Sequence, residues 1–221
     1  LAPWRDNETD ILYNSTKPVR AIFGIEADCP PDTDTYWRMG YTNPVQLTQW
    51  ALASAPGHPA LTWFIQKIYG MLDEVASHHD GNLTSPEAYE ELDYLEPLLF
   101  TGPDAITVSM RSWLEDRIGL RWNALTGLHD NGKSKLADDI MILPITGFRY
   151  VLLYWFISAT PTNDHSPGRG VYGNMGSKPV THHDARLQHL AQGSWKGFDL
   201  RVEFGKVCRT FFGMCRDWPK S

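Results

Sequence analysis

Val19-Arg-Ala-Ile-Phe-Gly-Ile25 runs directly into Glu26-Ala-Asp28, and this junction of an apolar run with two acids decides the architecture. A short run rich in β-branched and aromatic residues and closed by polar ones predicts a buried strand ending near Ile25. In open α/β sheets, ligands collect outside the C-terminal ends of strands. Glu26 and Asp28 are therefore either candidate catalytic carboxylates or two solvated acids of a turn. Cys29-Pro-Pro-Asp32 reads as that turn. A second run, Ile140-Met-Ile-Leu-Pro144, entered from Asp138-Asp139, predicts another buried strand. The longest apolar stretch, residues 150–157, falls short of the roughly 20 residues that span a bilayer and reads as a buried strand or a lid.

Between the strands the spacing turns helical. Val45 to Ala55 predicts a helix stopping at Pro56-Gly-His-Pro59, with Gln46, Gln49 and Trp50 facing either a ligand or another helix. Leu61, Phe64, Ile65, Ile68, Leu72 and Val75 then repeat at helical intervals. Ser85-Pro86-Glu87 starts a further helix reaching about Leu95, by N-cap and first-turn chemistry. Pro103 suits the first position of another, which runs through Glu115 and closes at Gly119. The Thr101-Gly102 ahead of it either offers amide donors to a bound hydroxyl or anion or simply caps the helix.

The composition narrows the class. With 42% apolar and 21% charged residues, 221 residues form one large domain or two small ones. Nine tryptophans fit an aromatic-rich cleft, whose ring faces suit sugars as well as cores. A net charge of −6 with no basic run argues against nucleic-acid binding. Three cysteines are too few for a disulfide scaffold, although Cys208 and Cys215 are close enough in sequence to bridge. Three acceptor triplets, starting at Asn7, Asn14 and Asn82, fit passage through the secretory pathway. The chain starts at Leu1 without a methionine or a signal-peptide pattern and reads as a piece of a longer polypeptide.

His189-Leu-Ala-Gln-Gly-Ser-Trp-Lys196 concentrates chemistry in eight residues. His189 can bind a divalent cation, Gly193 lets backbone approach an anion, and Lys196 brings a point charge to a phosphate. Ser194 and Trp195 add a hydroxyl and an indole, although the same run is also what an ordinary loop with one packed indole looks like. The Gly-rich, Pro-rich residues 160–181 ahead of it read as a loop that could close over a diphosphate or simply vary.

Taken in order, GIEAD at 24–28, APGHP at 55–59, TGP at 101–103, LPITGF at 143–148, MGSK at 175–178 and HLAQGSWK at 189–196 resemble the fungal initiation-specific α-1,6-mannosyltransferases of glycosyltransferase family 32. The resemblance implies an α/β, GT-A-like fold, a mixed and mainly parallel sheet flanked by helices. It implies a Golgi membrane protein facing the lumen, anchored by a segment absent from this chain and able to associate with other mannosyltransferases. GDP-mannose would be the donor, Mn²⁺ the cofactor and an N-glycan the acceptor, with retention of configuration. By the motif match, Glu26 or Asp28 would position acceptor or sugar, and Thr101, Gly102, Gly193, Ser194, Trp195 and Lys196 would contact the donor and its diphosphate; Gln49 and Trp50, outside the motifs, are the candidates for acceptor or sugar from their own segment. His189 would ligate the metal.

The resemblance also marks a departure. The family's metal-binding Asp-x-Asp sits on a Gly-Gly segment just ahead of a stretch like Leu1-Ala-Pro3, so residues 1–221 are expected to be the C-terminal portion of the catalytic domain and a poor enzyme by themselves. Asp32-Thr-Asp34 has the right letters in a Pro-rich turn and is the weaker metal candidate. Rival readings are a hexosyltransferase acting on inositol phosphoceramide, a hydrolytic metal site at His182, His183, Asp184 and His189, and a non-catalytic carbohydrate-binding module.

Overall fold

The computed structural model describes residues 10–12, 17–29, 35–125, 133–145, 147–150, 186–189 and 198–218. Five strands form one sheet in the order β1-β4-β5-β2-β3: β1 Asp10–Leu12, β2 Ala21–Asp28, β3 Val45–Ser54, β4 Lys135–Ala137 and β5 Ile140–Leu143. Pairs β1–β4 and β2–β5 are parallel, whereas β2–β3 and β4–β5 are antiparallel. The sheet is thus evenly mixed rather than mainly parallel, because the two-residue turn at Asp138-Asp139 folds β4 straight back onto β5. A second, two-stranded parallel sheet pairs β6 Phe148–Tyr150 with β7 Leu187–His189.

Helices cover one face of the large sheet. α2 Pro59–His78 and α5 Pro103–Ile118 place Ala60, Ile106, Met110 and Leu114 on Phe23, Ile25, Leu47, Ile140 and Ile142, the main core. Ile22, Met141, Leu143 and Phe148 form a smaller cluster, with Trp50 and Ala51 packed against it. Shorter helices α1 Thr35–Arg38, α3 Pro86–Tyr94 and α4 Pro97–Phe100 link these parts, and α6 Leu200–Val207 follows β7. The predicted helix starts hold: Ser85 Oγ caps the Ala88 amide at 3.1 Å, and Gly119 ends α5 at φ 64°.

Residues 45–54 are not a helix. They form an edge strand, β3, whose pairing to β2 is interrupted twice. Between the pairs Phe23–Leu52 and Ile25–Leu47, four residues of β3, Thr48 to Ala51, stand opposite Gly24 alone, and Thr48 Oγ1 ties this excursion by donating to Ala51 O. The strand also corrects the end of β2, which carries Glu26 and Asp28 inside it rather than beyond it.

His58 of the APGHP stretch holds the opposite end of the sheet. Its Nδ1 accepts the Ala60 amide at 3.2 Å, so the proton sits on Nε2, which faces Asp139 Oδ1 at 3.3 Å. Asp139 O in turn receives the amides of Arg20 and Ala21. His58→Ala removes the cap and leaves Asp139 facing a void, so a loss of about 1–3 kcal/mol is expected in chemical unfolding.

At the far end of the chain, α6 continues into a π-helical turn, Cys208–Phe212, closed by a Cys208–Cys215 disulfide. Arg38 of α1 reaches across to it, its Nη2 donating to Thr210 O at 2.8 Å. No helix among the described residues is long and apolar enough to cross a membrane.

Candidate active site

Glu26 lies where β2 bulges between Ile25 and Ala27. Bulges turn a side chain out of the regular alternation and are common beside active sites. The carboxyl is nearly buried, and its Oε2 accepts from Gln46 Nε2 at 3.0 Å. Burial pushes its pKa up to about 7, with the Gln46 hydrogen bond pulling weakly the other way. Glu26 is therefore shared between acid and base near neutrality, the state that suits proton transfer or a hydrogen bond to a sugar hydroxyl.

Gln46 cannot turn over. Its Oε1 accepts three hydrogen bonds, from Thr42 N, Thr42 Oγ1 and Asn43 N at 3.0, 2.8 and 3.3 Å, which commits Nε2 to Glu26. Asn43 Nδ2 then donates to Asp104 Oδ1 at 2.6 Å, joining the turn before β3 to the first turn of α5. Thr107 Oγ1 locks the same junction, accepting from Leu47 N at 2.9 Å and donating to Pro103 O at 2.6 Å. Glu26 of GIEAD and the helix start after TGP thus meet through Gln46 and then Thr42, Asn43 and Asp104. The sequence did not single out the last three, since Asn43 and Asp104 stand 61 positions apart. The only local signal was the Thr-Asn-Pro turn before β3.

The other candidates occupy varied positions. Asp28 is buried on β2 in register with Val45. The neighbouring Cys29 is no nucleophile, because burial and the Asp28 charge push its thiol up to about 12. Gly102 caps α5 with its α-carbon pressed on α4, where an added β-carbon would sit 2.7 Å from Leu98 Cα. Thr101 is exposed, but its amide already donates to Pro97 O. With Asp104 in the first turn, this helix start favours a hydroxyl over a phosphate. Gln49 is exposed on the β3 excursion, and Trp50 packs its ring 6.1 Å from that of Phe148.

His189 is the last residue of β7, in register with Tyr150. Its side chain lies outside the described residues, as do Asp32, Asp34, His182, His183, Asp184, Gly193, Ser194, Trp195 and Lys196. Among the described residues, no three of His, Cys, Asp or Glu come together to hold a metal ion.

No family model matches the chain, and no solved structure does. Two curated proteins do. An initiation-specific alpha-1,6-mannosyltransferase of Schizosaccharomyces pombe is 33% identical over 179 residues, covering 80% of this chain and 36% of that protein. One of Candida albicans is 27% identical over 208 residues, covering 87% of this chain and 46% of that protein. The chain therefore spans less than half the length of these relatives. Such identity, carried over most of the chain, makes it a homologue of the initiation-specific alpha-1,6-mannosyltransferases.

Proposed function

We propose that the chain contributes the Glu26 side of a hexosyltransfer site, built on a GT-A-like sheet, that moves mannose from GDP-mannose to an N-glycan with retention of configuration. The observation that carries this reading is the 33% identity over four-fifths of the chain, and the buried carboxyl tuned to neutrality supports it. Gln46 holds one oxygen of Glu26, which leaves the other for a sugar hydroxyl. Asn43 and Thr42 keep that geometry fixed, so the carboxyl reorganises little as the bond from the mannose anomeric carbon to the diphosphate breaks and the glycosidic bond to the acceptor hydroxyl forms.

When bound, a divalent cation would offset charge on the leaving diphosphate. The described residues supply no seat for Mn²⁺. Lys196 is proposed to meet the diphosphate. Lys196→Ala is expected to lower kcat about a hundredfold with a smaller change in donor affinity, and an unchanged kcat would remove it from that role.

A lumenal Golgi setting, with membrane attachment through residues outside this chain, is part of the proposal. The Cys208–Cys215 bridge supports it, since such bridges persist in oxidising compartments. The test is product analysis of the full-length protein with GDP-mannose, with and without Mn²⁺, on a high-mannose N-glycan and on inositol phosphoceramide. An α-1,6-linked mannose on the glycan alone is expected. Transfer only to the lipid would replace the acceptor, and no transfer to either would end the reading.

A further inference from the structure

The connection between α2 and α3, His79 to Ser85, is built as a rigid base with an open tip. Glu91 of α3 holds both histidines at the end of α2, His78 Nδ1 at 3.0 Å and His79 Nε2 at 2.7 Å, and these contacts draw its carboxyl below its usual pKa. Asp80 at φ 53° and Gly81 at φ 80° then turn the backbone sharply, and a β-carbon on Gly81 would meet nothing within 4 Å. Asn82 and Thr84 stand exposed at the tip.

The side-chain atoms of Asn82 are used unequally. Its Oδ1 accepts from Thr84 N at 2.9 Å and from Thr84 Oγ1 at 2.7 Å, an Asx turn that occupies the carbonyl. Among the described residues nothing bonds the amide nitrogen, Nδ2. Attachment at that nitrogen consumes one N–H and spares both bonds to Oδ1, so the folded turn has room for a substituent that changes none of its contacts.

We propose that Asn82, within Asn82-Leu83-Thr84, is a site of N-linked glycosylation. The inference rests on the lumenal placement above. The donor class is a lipid-linked oligosaccharide diphosphate, acted on by the secretory pathway's oligosaccharyltransferase. A bond forms between Asn82 Nδ2 and the anomeric carbon, and the bond from that carbon to the diphosphate oxygen breaks. The lipid diphosphate leaves with the electron pair, the amide proton passes to a base of the transferase, and nothing is oxidised or reduced.

The test uses the full-length protein made in a secreting eukaryotic host, with its glycans released by an amidase in ¹⁸O water and its peptides read by mass spectrometry. Asn82 is expected to appear as labelled Asp. Asn82→Gln and Thr84→Ala are each expected to lose one glycan-sized step in mobility, and Thr84→Ser to keep it. Asn82→Asp retains the oxygen that Thr84 binds, so its folded yield separates loss of the glycan from loss of the turn. An unmodified Asn82 in protein whose Cys208 and Cys215 are disulfide-bonded overturns the site while sparing the compartment. Free thiols at both cysteines, with none of the three triplets occupied, overturn the compartment and the site together.

Discussion

Glu26→Gln is expected to make the protein more stable at pH 8 and less active at every pH. The carboxyl is raised from 4.5 to about 7 by burial, so the native state holds its proton through a range where the unfolded chain has lost it. Stability from this group is fully present below about pH 4.5 and is lost as pH rises through 7, a change of about 3 kcal/mol for a shift of this size. Glutamine keeps the oxygen that accepts from Gln46 but carries no charge to desolvate. The variant's midpoint at pH 8 should therefore rise by roughly 5–10 °C, while at pH 4 the two proteins should differ little. Activity should fall about a hundredfold or more, because the amide can neither take nor give a proton. Thermal scans at both pH values, alongside transfer assays, separate the two effects. A variant that is both inactive and less stable at pH 8 would make Glu26 a structural hydrogen-bond acceptor instead.

Much of the framework was legible from local chemistry. Helices α3 and α5 announced themselves through Ser85, Pro86, Pro103 and Gly119, whose caps act within one turn and need no distant partner. β2 and β5 were legible because both lie buried in the sheet and so read as unbroken apolar runs. β3 was misread for a physical reason. It is an edge strand with a four-residue excursion, so only Val45 to Thr48 are buried and the two-residue alternation never establishes itself. The alanines and leucine of its second half then imitate a helix. At the site, the two acids were visible in the sequence, but their environment was not. Nothing near Glu26 in the chain signals that Gln46 turns its amide inward, or that Asn43 reaches the first turn of α5. Such contacts come from the packing of elements, and a single sequence records only their ends.

Gly24→Ala is expected to cost about 1–3 kcal/mol, and Gly24→Val more, although the backbone there needs no glycine-specific conformation. The reason is a neighbour. A β-carbon at Gly24 would stand 2.6 to 2.9 Å from three atoms of Phe148, and that ring is itself buried in one cluster with Ile22, Met141 and Leu143. The ring has little space to yield, and a β-carbon on Gly147 beside it would stand 2.8 Å from Leu143 Cβ. Gly24 of GIEAD thus marks the close approach of β2 to Phe148 at the start of β6, and Gly147 of LPITGF the tight turn that leads from β5 into it. Phe148→Ala should cost about 3–5 kcal/mol by emptying the cluster. In that background the Gly24→Ala change should cost almost nothing, a coupling of about 1–3 kcal/mol in a double-mutant cycle. Additive effects would mean that the strands meet elsewhere. The contact bears on function because β6 pairs with β7, the strand that ends at His189. If Gly24→Ala relaxes by pushing β6 away, β7 and its last residue, His189, shift with it, and transfer activity should drop further than the loss of folded protein explains.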